Sequence, residues 1–430
     1  MTARSALRHI ALGSLLALIG AAPAPAGAAG FLVYDITGES IGKASAVSAS
    51  TTEPAAVWYN PAAMAFMPGY QFSAGGTTVF ARNHFTPQGA DHDIDGKQAT
   101  FFLPAIFGTA RLSDRWAVGL GGFTTFGLGV EWPADWIGRE NAIKASIQTF
   151  TLNPGVSYRL LPNMSLAAGL QVVRASVDFK NGLPAAIGGG TVEIGGATWG
   201  VGGNAGLLWR VAPEVFHAAL TYRSRVKLDF TGRADFNVTA PEFQTNPALQ
   251  DQGGKATITL PDIITAGFMF RPVKKLELTF DANITFWSTY DKLVLDFDVA
   301  PTQTLIRNNH IATTLRLGAD WTTPVEGLHA RAGFIFDQNP SPKEFLAPSL
   351  PDANRTDFAI GLGWEHKWFK IDVGYLLVYF LPSKAEPLPG QTQLEGPVGT
   401  YNTIAHLLST TLTFKLDQPK PAPQVVATAK

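Results

Sequence analysis

Six cations fall on the wet parity of alternating segments: Arg174, Arg223, Arg225, Lys227, Arg316 and Arg331. Such a face inside a closed protein gives them two uses. They can balance the interleaved acids Glu277, Asp281 and Asp320, because buried charge needs a partner, or they can hold an anionic ligand. Other stretches imitate known chemistry. Asp91 to Gly96, DHDIDG, reads like the start of a calcium loop, but its twelfth position is Phe102 instead of a bidentate Glu, and strands flank it. Gly200 to Gly206, GVGGNAG, nearly spells a dinucleotide fingerprint yet runs into another strand. No G-x-S-x-G, Walker loop or H-E-x-x-H occurs. The reading is therefore no metal, no cofactor and no catalytic residue, although a dispersed Ser/His/Asp site would escape a motif search.

The totals narrow the classes further. The chain has 430 residues, a net charge of −1, no cysteine, 43 glycines, 28 phenylalanines and 10 tryptophans. Balanced charge gives no reason to expect a nucleic-acid partner. The missing cysteines exclude disulfides, thiolate nucleophiles and Cys-ligated metals. At the N-terminus, Arg4 and Arg8 precede the uncharged run Ile10 to Ala22 and then APAPAGAAG. That is a secretory signal peptide over residues 1–28, with Ala26-Gly27-Ala28 as the cleavage site; the run is too short to span a bilayer.

The cations sit on strands. FHAALTYRSRVKLDF, Phe216 to Phe230, alternates with Phe216, Ala218, Leu220, Tyr222, Val226, Leu228 and Phe230 on one parity, the period of a strand with one oily face. Leu276 to Phe286, Leu315 to Trp321 and Leu328 to Phe336 repeat the pattern. Arg174, Ser176, Asp178 and Lys180 share a face, and a phase change near Val172 and Val173 suggests a bulge. Short Pro, Asp or Asn turns alternate with longer loops, giving about fourteen strands of membrane-spanning length. This layout predicts an all-β fold, a transmembrane antiparallel β-barrel of the outer membrane over residues 68–416. Trp132, Trp136, Trp287, Tyr290, Trp364, Trp368 and Tyr379 are candidates for interfacial girdles in contact with outer-membrane lipid and lipopolysaccharide. Residues 417–430 read as a Pro-rich disordered tail.

A barrel of that size is too wide for its own side chains to fill. Residues 29–67 precede the first strand and are the natural plug, an N-terminal hatch. Within it Asn60 can cap a short helix, Pro61 suits its first position, and Ala62 to Phe66 would follow. From local chemistry alone the same residues make an ordinary Asn-Pro turn.

Gly30-Phe31, YNPAAMA, FTTFGLGVEWPADWIGR followed by LNPGVSYRL, LPDIITAGFMFRPVKKLELTFDANITFWSTYDKL and FDQNPSPKEFLAPSLPDANRTDFAIGLGW together resemble the FadL-type outer-membrane transporters of long-chain fatty acids and hydrocarbons. The likeness spans essentially the whole mature chain. It implies a fourteen-stranded barrel, a hatch carrying the motif Asn60-Pro61-Ala62, and lateral release through a kinked third strand, here the stretch with Gly119, Gly121, Gly122, Gly127 and Gly129. It also implies capture between outer loops, with Leu183, Ile187, Val192, Ile194, Phe236, Val238 and Phe243 as groove candidates. The family usually ends on an aromatic, whereas this chain runs past TLTFKL into its tail.

The expected function is passive uptake of long-chain fatty acids or similar hydrophobic molecules. A carboxylate ligand calls for an apolar tunnel with one or two cations, and Arg316, Arg223 and Arg174 are the candidates. The alternatives are an importer of aromatic or aliphatic hydrocarbons on the same fold, which needs no cation, a hydrophilic diffusion porin, or an outer-membrane hydrolase.

Overall fold

The computed structural model describes residues 30–387 and 396–416. The expected leader and the Pro-rich tail lie outside them. Strand runs coincide with the alternating segments, and every neighbouring pair is antiparallel. The wall strands are β1 (Tyr70–Pro87), β2 (Ala99–Arg111), β3 (Trp116–Phe123 and Gly127–Glu131), β4 (Lys144–Leu161), β5 (Met164–Gly182), β6 (Gly190–Ala212) and β7 (Phe216–Arg223 and Val226–Val238). They continue as β8 (Gln252–Leu260 and Ile263–Val273), β9 (Leu276–Thr285 and Lys292–Phe297), β10 (Ala312–Thr322), β11 (Leu328–Asp337), β12 (Arg355–His366), β13 (Phe369–Phe380) and β14 (Gly399–Leu416). Pairing from Tyr70↔Leu416 to Pro87↔Gly399 joins the last strand to the first, so the 14-strand sheet closes and has no edge at that seam. Among the described residues no helix is long and apolar enough to cross a membrane; the crossing is made by strands.

The outer surface is apolar where a bilayer would touch it. Leu170, Val201, Leu317, Phe358 and Ile360 are each more than half exposed. Their sequence neighbours Gln171, Arg316 and Asp357 point inward and are buried, the reverse of a soluble sheet protein.

Residues 30–67 occupy the lumen. They form helix α1 (Gly38–Gly42), helix α2 (Ala56–Tyr59) and a 3-10 turn, Pro61–Phe66. A capping box between Thr37 and Ser40 starts α1. Thr37, Ser40, Lys43, Ser45, Trp58, Tyr59 and Asn60 are all at most 2 % exposed. The segment is too short to fold alone; its apolar residues, among them Phe31, Ile36, Val57, Trp58 and Met64, pack into one core with the wall that encloses it.

The structure corrects three expectations. The β5 register against both β4 and β6 is constant through Val172 and Val173, so no bulge occurs there. Arg174 therefore shares the outer face with Leu166 and Leu170 and is not a lumen cation. On β7 the faces exchange at the Ser224–Arg225 break: Val226, Leu228 and Phe230 turn inward into the core, while Arg225 and Lys227 face out. Above that break the outer face meets water, so polar residues suit the outside. Finally, Trp132, Trp136, Trp287 and Tyr290 are buried instead of girdling the wall, whereas Trp364, Trp368 and Tyr379 are exposed.

Candidate functional site

Asn60 fixes one end of the lumen segment. Its side-chain oxygen accepts from the Ala62 amide at 3.1 Å, capping the 3-10 turn that Pro61 begins. Its Nδ2 donates to Ser48 O at 2.9 Å and, across to the wall, to Leu207 O at 3.1 Å. The carbonyl of Ala62 accepts from Ser165 Oγ at 2.7 Å and Ser157 Oγ at 3.2 Å. Gly206 makes this docking possible, since a Cβ there would stand 2.5 Å from Asn60 Oδ1. Farther along, both carboxylate oxygens of Asp281 are used: Oδ2 accepts from the amides of Val47 and Ser48, and Oδ1 from Ser48 Oγ. Gly267 leaves the room for that hydroxyl.

Two of the candidate arginines are spent on the same docking. Arg223 donates to Val57 O, Trp58 O, Asn153 Oδ1 and Gln171 Oε1, and lies 4.0 Å from the centroid of the Trp58 ring. Arg316 donates to Asp35 Oδ1 and Ala44 O and sits over the Tyr34 ring. Below them a buried ion network ties α1 to the wall. Glu39 pairs with Lys43 at 3.0 Å and with Lys370; Arg331 bridges Asp320 at 2.6 Å and Asp372 at 2.7 Å. The buried acids Glu39, Glu53 and Asp372 converge, but lysines already supply the countercharge for Glu39 and Asp372.

The third strand is where the wall is incomplete. β2 and β3 pair only from Arg111↔Ala117 to Ala105↔Phe123. Beyond Phe123 the strand breaks, and its second piece, Gly127–Glu131, pairs with β4 alone. The lumen segment takes up the freed backbone groups: Val33 N donates to Thr125 O at 2.8 Å and Gly127 N to Phe31 O at 3.0 Å. Of the five glycines singled out, Gly129 faces the Phe101 ring, Gly119 admits Met64 and Val57 of the lumen segment, and Gly121 admits the Phe107 and Phe123 rings. Gly122 packs under Phe150 on the outer face, and a Cβ on Gly127 would meet only ordinary contacts.

A cavity of about 650 Å³ lies at this break. Its inner lining includes Phe31, Val33, Ile147, Leu350, Ala405 and Leu407, with the charged groups Asp35, Asp352 and Arg355. Its lining continues through the gap past Phe101, Leu103, Gly127 and Gly129 to Phe102, Gln148, Phe150, Arg174 and Ser176, residues of the outer face. The cavity thus connects the lumen with the lipid side. Arg174 belongs to its outer end; Arg223 and Arg316 do not line it. Arg355, which contacts Asp337 through Nε at 2.9 Å and Nη2 at 2.5 Å, was missed by the sequence reading, although the alternation Arg355-Thr356-Asp357 carried the same signal as the other wall cations. Asp352, in the loop before β12, accepts from Gly30 N at 2.9 Å. Burial pushes its carboxyl up to about 7, against the pull of Arg355 and the two amides it accepts from.

Among the outer-loop candidates, Leu183 and Val238 form a buried cluster with Leu249, and Val192, Phe236 and Phe243 pack against it. Ile187 is 39 % exposed, and Ile194 lines a separate small hollow with Phe179 and Leu293.

A closed sheet, oily outside and occupied inside by its own N-terminal segment, defines an outer-membrane β-barrel. The family model described as Outer membrane protein transport protein (OMPP1/FadL/TodX) matches residues 19–415, and the chain belongs to that family, whose members transport hydrophobic compounds and are not enzymes. Outer membrane protein P1 of Haemophilus influenzae is 26% identical over 403 residues, covering 81% of this chain and 86% of the relative. The long-chain fatty acid transport protein of Escherichia coli K12 is 24% identical, with 94% and 99% covered. Among solved structures, a Pseudomonas aeruginosa FadL homologue superposes with a TM-score of 0.80 at 21% identity, covering 90% of this chain and 100% of the other. The Pseudomonas putida toluene transporter TodX gives 0.68 at 16%, with 88% and 99% covered.

Proposed function

We propose that this protein takes up long-chain fatty acids or similar hydrophobic molecules passively, and that they leave sideways into the outer membrane through the break in β3. The observation that carries this reading is the cavity whose lining runs from Phe31 and Leu350 inside to Phe102 and Phe150 outside. Capture by the outer-loop residues around Leu183, Val238 and Phe243 and gating by residues 30–67 as a hatch complete the path. An apolar lining with few polar groups suits a hydrophobic cargo, and relatives named for fatty acids and for toluene fit it equally well.

The cargo's charge is constrained by the cations. Arg223 and Arg316 hold the lumen segment, and Asp35 and Asp352 also line the inner cavity. Arg355 lines it too but is already paired with Asp337, so a carboxylate there would face acids and desolvation without a free cation, and the inner cavity suits hydrocarbon, whether a whole hydrocarbon molecule or the tail of an amphiphile. A hydrophilic porin is disfavoured by residues 30–67, which pack inside the barrel against its wall.

The test is uptake of a radiolabelled fatty acid and of an alkane by cells whose own transporter is deleted, alongside planar-bilayer conductance. Uptake above the empty-vector level with little steady conductance supports the reading. Large steady conductance without hydrophobic uptake overturns it in favour of a porin.

A further inference from the structure

Resting on the lateral-release reading, we propose that the outer mouth of the β3 opening is a headgroup subsite in which Arg174 holds the anionic head of a single-chain fatty acid while its alkyl tail lies in the cavity.

Arg174 is the outer-face cation of the cavity lining. On β5 the outward residues Leu166 and Leu170 are apolar and the succeeding ones are Arg174, Ser176, Asp178 and Lys180; Arg174 therefore stands where the apolar band ends, at the level of lipid headgroups. Its cross-strand partner Trp199, 64 % exposed, carries the guanidinium 5.4 Å from its ring centroid, an amphipathic pairing suited to that depth.

Its charge is also available. Nη1 donates to the carbonyl oxygens of Thr198 at 3.2 Å and Ala175 at 3.5 Å, and no acid pairs with it among the described residues; Asp178, two positions along the same face, is bound to Lys144. The other guanidinium donors meet no protein acceptor among the described residues, and Gln148 and Ser176 line the same mouth as polar neighbours. The arrangement then sorts an amphiphile by its two ends. The inner cavity offers Phe31, Val33, Ile147 and Leu350 to a tail, and the arginine there, Arg355, is already paired with Asp337; the mouth offers Arg174 without an acid partner among the described residues. Tail inward and head at the rim is the pose that satisfies both.

The same chemistry, an acyl chain under an anionic head, occurs in the bilayer's own lipids, and the experiment separates the two sources. In detergent-purified protein, affinity is measured for a long-chain fatty acid and for its methyl ester, in wild type, Arg174→Gln and Arg174→Lys. Loss of one charge-assisted contact corresponds to roughly tenfold or more. The expected result is about that loss for the acid in Arg174→Gln, partial retention in Arg174→Lys, and no change for the ester. A photo-reactive group beside the carboxylate should label the peptides carrying Arg174 and Trp199, and one at the tail end should label Phe31 or Leu350. Equal effects on acid and ester, or the reverse labelling, overturn the subsite while leaving lateral release standing; failure of wild type to bind either ligand overturns both. If native mass spectrometry shows Arg174→Gln losing a co-purified membrane lipid while fatty-acid affinity holds, the arginine anchors the bilayer and the proposal is wrong.

Discussion

The Phe101 ring lies so close to Gly129 that a Cβ on the glycine would stand 1.8 Å from the ring's Cζ. These two residues face each other across the interval where β2 and β3 no longer pair, so an aromatic ring fills what backbone hydrogen bonds leave open. Gly129→Ala has to displace that ring, and Phe101→Ala removes it. Phe101→Ala is expected to raise uptake, and the effect of Gly129→Ala is expected to vanish in the Phe101→Ala background. The coupling for touching residues is about 1 kcal/mol, roughly fivefold in rate, read from initial uptake rates of the four proteins.

The lumen segment hangs on a few wall groups. Asp281→Ala strips three hydrogen bonds from Val47 and Ser48, and Asn60→Ala removes the cap together with the bond to Leu207 O. Leaving such donors buried and unpaired costs about 1–3 kcal/mol each, and a lost cap about 1 kcal/mol. Both variants should expose residues 30–67 to protease while the barrel keeps its heat-modifiable gel mobility. Gly206→Ala, which drives a methyl into Asn60 Oδ1, should behave like Asn60→Ala.

Arg223 discriminates between docking and ligand binding. With four acceptors supplied by Val57, Trp58, Asn153 and Gln171, Arg223→Gln is expected to loosen the lumen segment and to change the affinities for a fatty acid and its methyl ester by the same factor. A loss confined to the acid, measured by equilibrium binding, would make Arg223 a carboxylate clamp after all.

Asp352 brings a pH dependence. Its folded value is raised to about 7 above the ordinary carboxyl value near 4, so the folded state holds a proton that the unfolded state has released in that interval. The stability this provides is full below about pH 4 and is lost as pH rises through about 7. Asp352→Asn, which resembles the protonated form, should therefore be nearly neutral for thermal stability at about pH 4 and stabilising at about pH 8. Heat-modifiability midpoints of the two proteins at both pH values check this.

Closed, antiparallel β-architecture was legible from alternation and from the two kinds of connection, because both follow from the bilayer and the strand period. Facing was legible only where lipid sets the contrast. Lys227 carried the expected period yet points outward, since the wall outruns the bilayer and water then rewards charge outside; Arg174 points outward because the strand keeps its register through Val172 and Val173. Pairing between distant residues was not legible either: nothing local to Gly206 says that Asn60 needs its missing side chain, and nothing local to Phe101 says that a ring will lie against Gly129. Asp281 was visible as a countercharge, but its binding to Val47 and Ser48 amides depends on how the lumen segment folds.

The central claim is that cargo passes through the wall between β2 and β3. Because the chain has no cysteine, Phe101→Cys with Gly129→Cys gives a single thiol pair across the opening, which oxidation or a short thiol-reactive linker can close. With the pair joined, uptake of a labelled long-chain fatty acid should fall to the level of cells without the protein and return on reduction. Undiminished uptake through the joined barrel would contradict the account.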